Sequence, residues 1–152
     1  MGLKSKLSAQ FEVKTKHDVF LDVFSHKAGH VSTMCPVHIR SAELLEGDFG
    51  TVGCKVCWKY THDGKEMISK QISEAIDEEK KTMIVREFEG DLANEYENWK
   101  LTLHVNAEGE KNLVCWTMEY ERPNENIPEL TNLLQFIIDF TKAVDDHHVK
   151  QN

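Results

Sequence analysis

The chain has 152 residues, of which 40% are hydrophobic and 29% are charged, a mixture typical of one globular domain rather than of a disordered segment. Its 18 Lys and Arg against 26 Asp and Glu give a formal net charge of −8. This balance argues against nucleic acid or an anionic membrane as the main partner, because both require a cationic face. No apolar run approaches the ~20 residues that cross a bilayer. The start has no secretory signal, so we expect a cytoplasmic protein without membrane insertion.

The first third of the chain predicts one strand and two short helices. Residues 3–13 alternate between apolar and polar side chains, which indicates a half-buried strand. Residues 17–25 change to helical spacing, with Asp18 in the first turn, where the helix dipole favours negative charge. Gly29 predicts a break before a second short helix, which Pro36 ends.

The middle of the chain predicts a series of strands joined by turns. The range 66–77 is ambiguous, because Ile68, Ile72 and Ile76 have helical spacing; the turns on both sides of it favour a strand. Together the strands imply an antiparallel sheet. The predicted strands cover residues 37–45, 52–60, 66–77, 83–88, 99–107 and 114–120.

A long amphipathic helix is predicted from Glu129 onward, with an apolar residue every three or four positions. About twenty residues at ~1.5 Å each give a helix ~30 Å long. The concave face of the sheet is the only large partner that could bury its apolar stripe. A curved sheet around one helix encloses a volume, and we expect the helix to form a movable cover that hinges near Pro123 and Pro128.

Several segments resemble the plant major latex proteins, a branch of the birch-pollen-allergen-like (Bet v I) superfamily. The matching segments are Glu46–Gly53, Trp58–Lys65, Glu89–Leu92 with Glu95-Tyr96, and Trp116–Glu121. They occur in the family's order over essentially the whole chain. The aromatic Phe49, where many superfamily members have glycine, is common in the major latex branch.

The resemblance implies an α+β helix-grip fold over residues 1–152 as a single domain. In this fold a seven-stranded antiparallel sheet wraps on a long C-terminal helix with two short helices and encloses an apolar cavity. It also implies a cytosolic plant protein that reversibly binds hydrophobic or amphipathic small molecules such as lipids, steroids, plant hormones or secondary metabolites. We expect this protein to be a monomer. A role in plant defence or stress response follows from the same resemblance.

The ligand-binding residues are predicted on the inward faces of these elements. Aromatic and Met side chains there offer wide, adaptable contact surfaces, and Tyr60, Tyr120 and His38 would orient the ligand through hydrogen bonds. The apolar pattern alone does not distinguish a filled core from a cavity. The full predicted set is Phe20, Phe24, His38, Val56, Trp58, Tyr60, Leu101, Leu103, Trp116, Met118, Tyr120, Leu133, Phe136, Ile137 and Phe140.

The glycine-rich loop is interpreted as a tight turn that uses glycines at positive φ, not as a phosphate site. A phosphate loop would end in Lys-Ser or Lys-Thr before a helix, whereas this loop lies between strands and Asp48 would repel an anion. The loop residues singled out are Gly47, Asp48, Phe49, Gly50 and Gly53.

The four cysteines predict neither disulfides nor a metal site. Cys54 and Cys57 have the spacing of zinc sites, but residues three apart on a strand point to opposite faces. A structural zinc site also requires a second pair, and Cys35 and Cys115 are isolated. We therefore expect free thiols, no metal and no cofactor.

Two other function classes stay open. No nucleophile elbow or zinc-protease motif occurs, and no Lys lies on the inward side of either long strand, so we expect no enzyme. A cavity enzyme that condenses or isomerises alkaloid-like substrates, as some superfamily relatives do, is the first alternative. An interaction protein with a vestigial cavity is the second.

Overall fold

The computed structural model describes residues 2–151 and contains seven strands and three α-helices in that range. A 3₁₀ turn precedes α2 and another follows β5. In chain order the elements are β1 Leu3–Val13, α1 His17–Phe24, α2 Val31–Met34, β2 Ile39–Glu46, β3 Lys55–His62, β4 Lys65–Asp77, β5 Thr82–Gly90, β6 Glu97–Glu108, β7 Lys111–Arg122 and α3 Thr131–Gln151.

The seven strands form one antiparallel sheet in the order β1-β7-β6-β5-β4-β3-β2. The first strand pairs with the last, so Leu3 faces Arg122 and Val13 faces Asn112. The strands β1 and β2 form the two edges, and α1 and α2 connect them. The helix-grip architecture that the resemblance implied is confirmed.

The ambiguous range 66–77 is a strand, β4, as the flanking turns predicted. Three successive inner positions of β4, occupied by Ser69, Gln71 and Ser73, are polar, and several outer positions are apolar. Ile68 pairs with Lys59, and Ile72 pairs with Lys55 and Arg86, all on the convex face of the sheet. A bulge between Ser73 and Ala75 then shifts the alternation, so that Ile76 pairs with Met83 on the concave side.

The concave face of the sheet and the apolar stripe of α3 form the core. The stripe carries Leu133, Phe136, Ile137, Phe140 and Val144, all less than a tenth exposed. Burying such a stripe stabilises the helix far more than its intrinsic propensity does. Helix α3 thus lies across the sheet at the place predicted from its 3.6-residue period.

A buried carboxylate fixes the far end of α3 to the end of β1. Asp145, 8% exposed, accepts hydrogen bonds from the backbone N–H groups of Lys14 and Thr15 and from the Thr15 hydroxyl. These bonds satisfy backbone donors that the end of the strand leaves unpaired.

Candidate functional site

A cavity lies between the concave face of the sheet and α3. About 920 Å³ of space is free of protein atoms there, counting the part that opens to solvent, and the centre of a water molecule can occupy about 90 Å³ of it. Helices, strands and the glycine-rich loop all contribute to its wall. Among residues 2–151, the lining residues include no Asp, Glu, Lys, Arg or His.

Eleven of the fifteen ligand-binding residues predicted from the sequence line this cavity. They come from α1, β3, β6, β7 and α3, and the fold brings them together although they are up to 116 positions apart in the chain. The eleven are Phe24, Val56, Trp58, Tyr60, Leu101, Leu103, Trp116, Leu133, Phe136, Ile137 and Phe140.

The other four predicted residues lie outside the lining. Phe20 and Met118 are fully buried in the core. The His38 ring packs against Phe136 with ring centroids 5.8 Å apart. The Tyr120 hydroxyl donates a 2.7 Å hydrogen bond to Glu129 Oε2 and accepts one from the backbone N–H of Leu130.

Sequence reasoning missed the contribution of β4 and β5. The alternation that identified Leu101 and Leu103 also includes Trp99, and Met83 and Val85 alternate in the same way on β5, so these three were detectable. The polar lining of β4 was not detectable from the sequence. The buried face of an antiparallel strand usually carries apolar side chains, and β4 has polar residues there. The missed lining residues are Ser25, Ala28, Ile39, Cys54, Ser69, Gln71, Ser73, Met83, Val85, Leu92 and Trp99.

A small set of polar groups faces the cavity from β3 and β4. Gln71 Nε2 donates a 3.0 Å hydrogen bond to Ser69 Oγ, and Ser73 Oγ lies 3.4 Å from Cys54 Sγ. Burial raises the pKa of the Tyr60 phenol, and the charges of Glu87 and Asp91 raise it further. The phenol therefore stays protonated at neutral pH and can donate a hydrogen bond.

A buried carboxyl group lies near the end of this polar wall. Glu87 is 5% exposed, and its Oε2 accepts a 2.7 Å hydrogen bond from the backbone N–H of Ala93. Burial raises the pKa of Glu87, and the hydrogen bonds it accepts offset part of that rise. Within the described residues, Glu87 Oε1 and the neighbouring Trp99 Nε1 have no hydrogen-bond partner.

The glycine-rich loop lies between β2 and β3, as predicted, and also reaches the cavity wall through Phe49 and Gly50. Gly50 has a φ of +84° and packs so closely on His26 that a Cβ atom there would overlap the imidazole ring. The Phe49 ring lies against Gly29. The loop is therefore fitted to the turn that follows α1, and Gly47, Asp48 and Gly53 complete it without lining the cavity.

Cys54 and Cys57 lie on opposite faces of the sheet, as their spacing predicted. Cys54 lines the cavity, whereas Cys57 pairs with Glu43 and Lys70 on the convex side. All four cysteines are free thiols, and burial raises the pKa of Cys35 to about 12. No cluster of three or more His, Cys, Asp or Glu that could hold a metal ion occurs within residues 2–151.

An antiparallel sheet that grips one long helix over an apolar cavity defines the helix-grip class of proteins. Within that class, the model of the pathogenesis-related protein Bet v 1 family matches residues 2–151, and the chain belongs to this family. Its relatives place it in the major latex protein branch, which confirms the resemblance seen in the sequence. The fold and the family are those of ligand-binding proteins.

Three relatives show how far the similarity extends. MLP-like protein 43 of Arabidopsis thaliana is 40% identical over 148 residues, which cover 96% of this chain and 94% of that protein. MLP-like protein 34 of the same plant is 39% identical over 143 residues, and the match spans 93% of this chain but 45% of that longer protein. Ginseng major latex-like protein 151 from Panax ginseng is 39% identical, with a TM-score of 0.94 over 97% of this chain and 99% of its own.

The fold alone is shared with an enzyme. Truncated norcoclaurine synthase from Thalictrum flavum is 20% identical, with a TM-score of 0.72 over 94% of each chain. Within residues 2–151, no helix is both long enough and apolar enough to cross a membrane.

Proposed function

We propose that this protein reversibly binds hydrophobic or amphipathic small molecules in the cavity between the sheet and α3. The observation that carries the proposal is the cavity itself, which is walled by aromatic and aliphatic side chains and is partly open to solvent. A ligand would gain about 25 cal/mol per Å² of apolar surface removed from water, offset by the cost of ordering it. Lipids, steroids, plant hormones and secondary metabolites all have suitable surfaces.

The chemistry of the lining favours binding over turnover. General acid-base catalysis needs a titratable group near the working pH, and the described lining residues offer only the Tyr60 phenol and the Cys54 thiol. Burial moves the pKa of Tyr60 away from neutrality. The similarity to norcoclaurine synthase concerns the fold, so we propose a binding protein rather than a condensing or isomerising enzyme.

The family supports a proposal for the cellular role. Its name, pathogenesis-related, supports a role in plant defence or stress response, and we propose that the protein acts in the cytoplasm as a monomer. In this role the protein would hold or carry an apolar metabolite that water alone dissolves poorly.

Intrinsic fluorescence tests the binding function directly. The chain has three tryptophans, and all three, Trp58, Trp99 and Trp116, line the cavity. Titration with the neutral dye Nile red should therefore quench the tryptophan emission and raise the dye emission in the same saturable curve. Free tryptophan amide at equal concentration is the control for collisional quenching.

Two results would contradict the proposed function. Dye emission that rises without any change in tryptophan emission would mean that the dye binds elsewhere on the protein. Absence of saturable binding, for Nile red and for apolar molecules extracted from the native source, would favour an interaction protein whose cavity is vestigial. Native mass spectrometry of the purified protein would then identify any molecule that it retains.

A further inference from the structure

The concave face of β4 departs from the rest of the cavity wall. Its three inward residues that line the cavity are Ser69, Gln71 and Ser73, which we name the β4 polar row. The same strand turns Ile68 and Ile72 toward the convex face. An inward position that faced only packed hydrocarbon would favour Val or Leu, as on β5 and β6, where Val85 and Leu101 are paired.

The β4 polar row has apolar neighbours on β3 and a mixed border on β5. On β3, Trp58 pairs with Ser69 and Val56 pairs with Gln71. On β5, Val85 pairs with Ser73, whereas the buried Glu87 pairs with Gln71. Across the cavity lie the apolar side chains of α3. A bound molecule would therefore meet a narrow polar stripe on one side and hydrocarbon on the others.

The row has more hydrogen-bonding capacity than the protein uses. A glutamine side chain has two donor hydrogens and an acceptor oxygen, but within the described residues Gln71 makes one side-chain hydrogen bond, to Ser69. Ser73 Oγ lies 3.4 Å from the Cys54 thiol, a weak hydrogen-bonding group. Ser69 Oγ accepts the bond from Gln71 and also bonds to the Glu87 carboxyl. The spare capacity of the row is therefore the second N–H and the carbonyl oxygen of Gln71, together with the Ser73 hydroxyl, and a ligand with hydroxyl or carbonyl groups would supply partners for them.

The spacing and the charge of the row restrict the ligand. At ~3.4 Å per residue, Ser69 and Gln71 lie ~7 Å apart along the strand, and Ser69 and Ser73 ~14 Å apart. No charged side chain lines the cavity among residues 2–151, so an ionised ligand would be buried without a counter-charge, at a large cost in free energy.

We infer that the β4 polar row selects an uncharged, elongated amphipathic ligand with hydroxyl or carbonyl groups along one edge. This inference rests on the proposed binding function and names the ligand class for the same cavity. A site built to hydrogen-bond a hydroxyl group rejects the analogue that lacks it, because its own polar groups are then left unpaired. Plain hydrocarbons and ionised fatty acids should bind less tightly.

Displacement of Nile red by three stilbenes tests the inference. Unsubstituted trans-stilbene, 4,4′-dihydroxystilbene and stilbene-4-carboxylate share one rigid skeleton and differ in hydroxyl groups and charge. With the parent protein, the dihydroxy compound should displace the dye at a concentration about tenfold lower than stilbene, since one or two net hydrogen bonds have that effect. The carboxylate should be the weakest.

Variants of the row show whether β4 causes the preference. Combined Ser69→Ala and Ser73→Ala substitutions should bring the two neutral stilbenes to similar affinity, each displacement being referred to the Nile red affinity of the same variant. Ser8→Ala, on the outer side of β1, is the matched control and should retain the full preference. Gln71→Leu is the second variant and should reduce the preference even if the double variant does not fold.

The outcomes separate this inference from the proposed function. Equal binding of stilbene and its dihydroxy form by the parent, or a preference that survives both variants, would overturn the inference and leave the binding function intact. Tightest binding of the carboxylate would overturn the inference in the same way. Loss of saturable Nile red binding by the parent protein would overturn both.

Discussion

The hydroxyl group of Tyr120, on the last strand, donates a 2.7 Å hydrogen bond to the carboxylate of Glu129, just before the long helix. The same hydroxyl accepts a 2.8 Å bond from the backbone N–H of Leu130. Glu129 Oε1 also receives the Ser5 hydroxyl at 2.7 Å, and these hydrogen bonds lower the pKa of Glu129. The start of α3 is thus tied to β7 and β1, in the loop where the sequence suggested a hinge.

Replacing Tyr120 by Phe should therefore affect stability rather than binding. The change removes one donor and leaves the Leu130 N–H without its acceptor, so we expect a loss of about 1–3 kcal/mol in the free energy of unfolding. Urea denaturation measures the loss, and Nile red titration should give the parent's affinity. Tyr96→Phe, which loses one bond to the Pro128 carbonyl, is the control and should cost less. A fall in dye affinity at unchanged stability would show instead that Tyr120 contacts the ligand.

Substitution of Gly50 tests the fit between the glycine-rich loop and α1. Gly50→Ala combines an unfavourable positive φ with overlap on the His26 ring, whereas Gly53→Ala has a similar φ of +89° and open space around it. We expect Gly53→Ala to cost about 1 kcal/mol and Gly50→Ala to cost about 1–3 kcal/mol more, the range for overpacking. Thermal unfolding of both variants measures the difference. Equal losses would mean that the loop moves away from His26 freely.

Truncation of Phe140 distinguishes cavity wall from core. Phe140 packs on Phe24, Trp116 and Phe136 but also faces the cavity. Phe20 is fully buried and does not line it. Phe20→Ala should cost ~3–5 kcal/mol, and Phe140→Ala should cost less, because part of its ring already lacks packing partners.

Dye binding completes the comparison of the two phenylalanines. Phe140→Ala should change the affinity for bulky apolar ligands, because it enlarges the cavity, whereas a folded Phe20→Ala protein should bind as the parent does. A Phe140→Ala protein that loses several kcal/mol yet binds Nile red unchanged would assign the ring to the core and remove it from the predicted cover.

The buried Glu87 carboxyl should make stability depend on pH. Burial raises its pKa above the ordinary 4.5, so the folded protein holds this proton more tightly than the unfolded chain does. The free energy of unfolding therefore contains a contribution that is present below about pH 4.5 and is lost as the pH rises through the folded-state pKa. Glu87→Gln keeps an acceptor oxygen for the Ala93 N–H and removes the titration.

The expected result is a variant that becomes more stable than the parent as the pH rises from mildly acidic to neutral. Urea denaturation across that range measures the difference, and Glu66→Gln at an exposed position controls for the loss of one negative charge. A stability difference that does not change with pH would show that Glu87 titrates alike in the folded and unfolded states.

The sheet, the long helix and about half of the cavity wall were predictable because their periodicities are regular. Leu101, Leu103 and Trp116 follow a strict two-residue alternation, which is the signature of a strand with one buried face. The β4 strand was harder to predict, because its isoleucines have the spacing of a helix. In the structure, a bulge places Ile68 and Ile76 on opposite faces of the sheet. The cavity volume was not predictable from local patterns, since it depends on how the whole sheet curves around α3.

The pairing of β1 with β7 has a consequence for synthesis of the chain. Leu3 finds its partner, Arg122, 119 positions later, which corresponds to roughly 6–24 s at usual elongation rates of ~5–20 residues/s. Until β7 has been synthesised, the backbone of β1 has no strand to pair with. An unpaired strand of this kind is prone to aggregation. Its outer side carries Lys4, Lys6 and Glu12, and such charges hinder pairing with a neighbouring nascent chain. The charged side chains that face water in the folded protein thus also protect β1 from aggregation during synthesis.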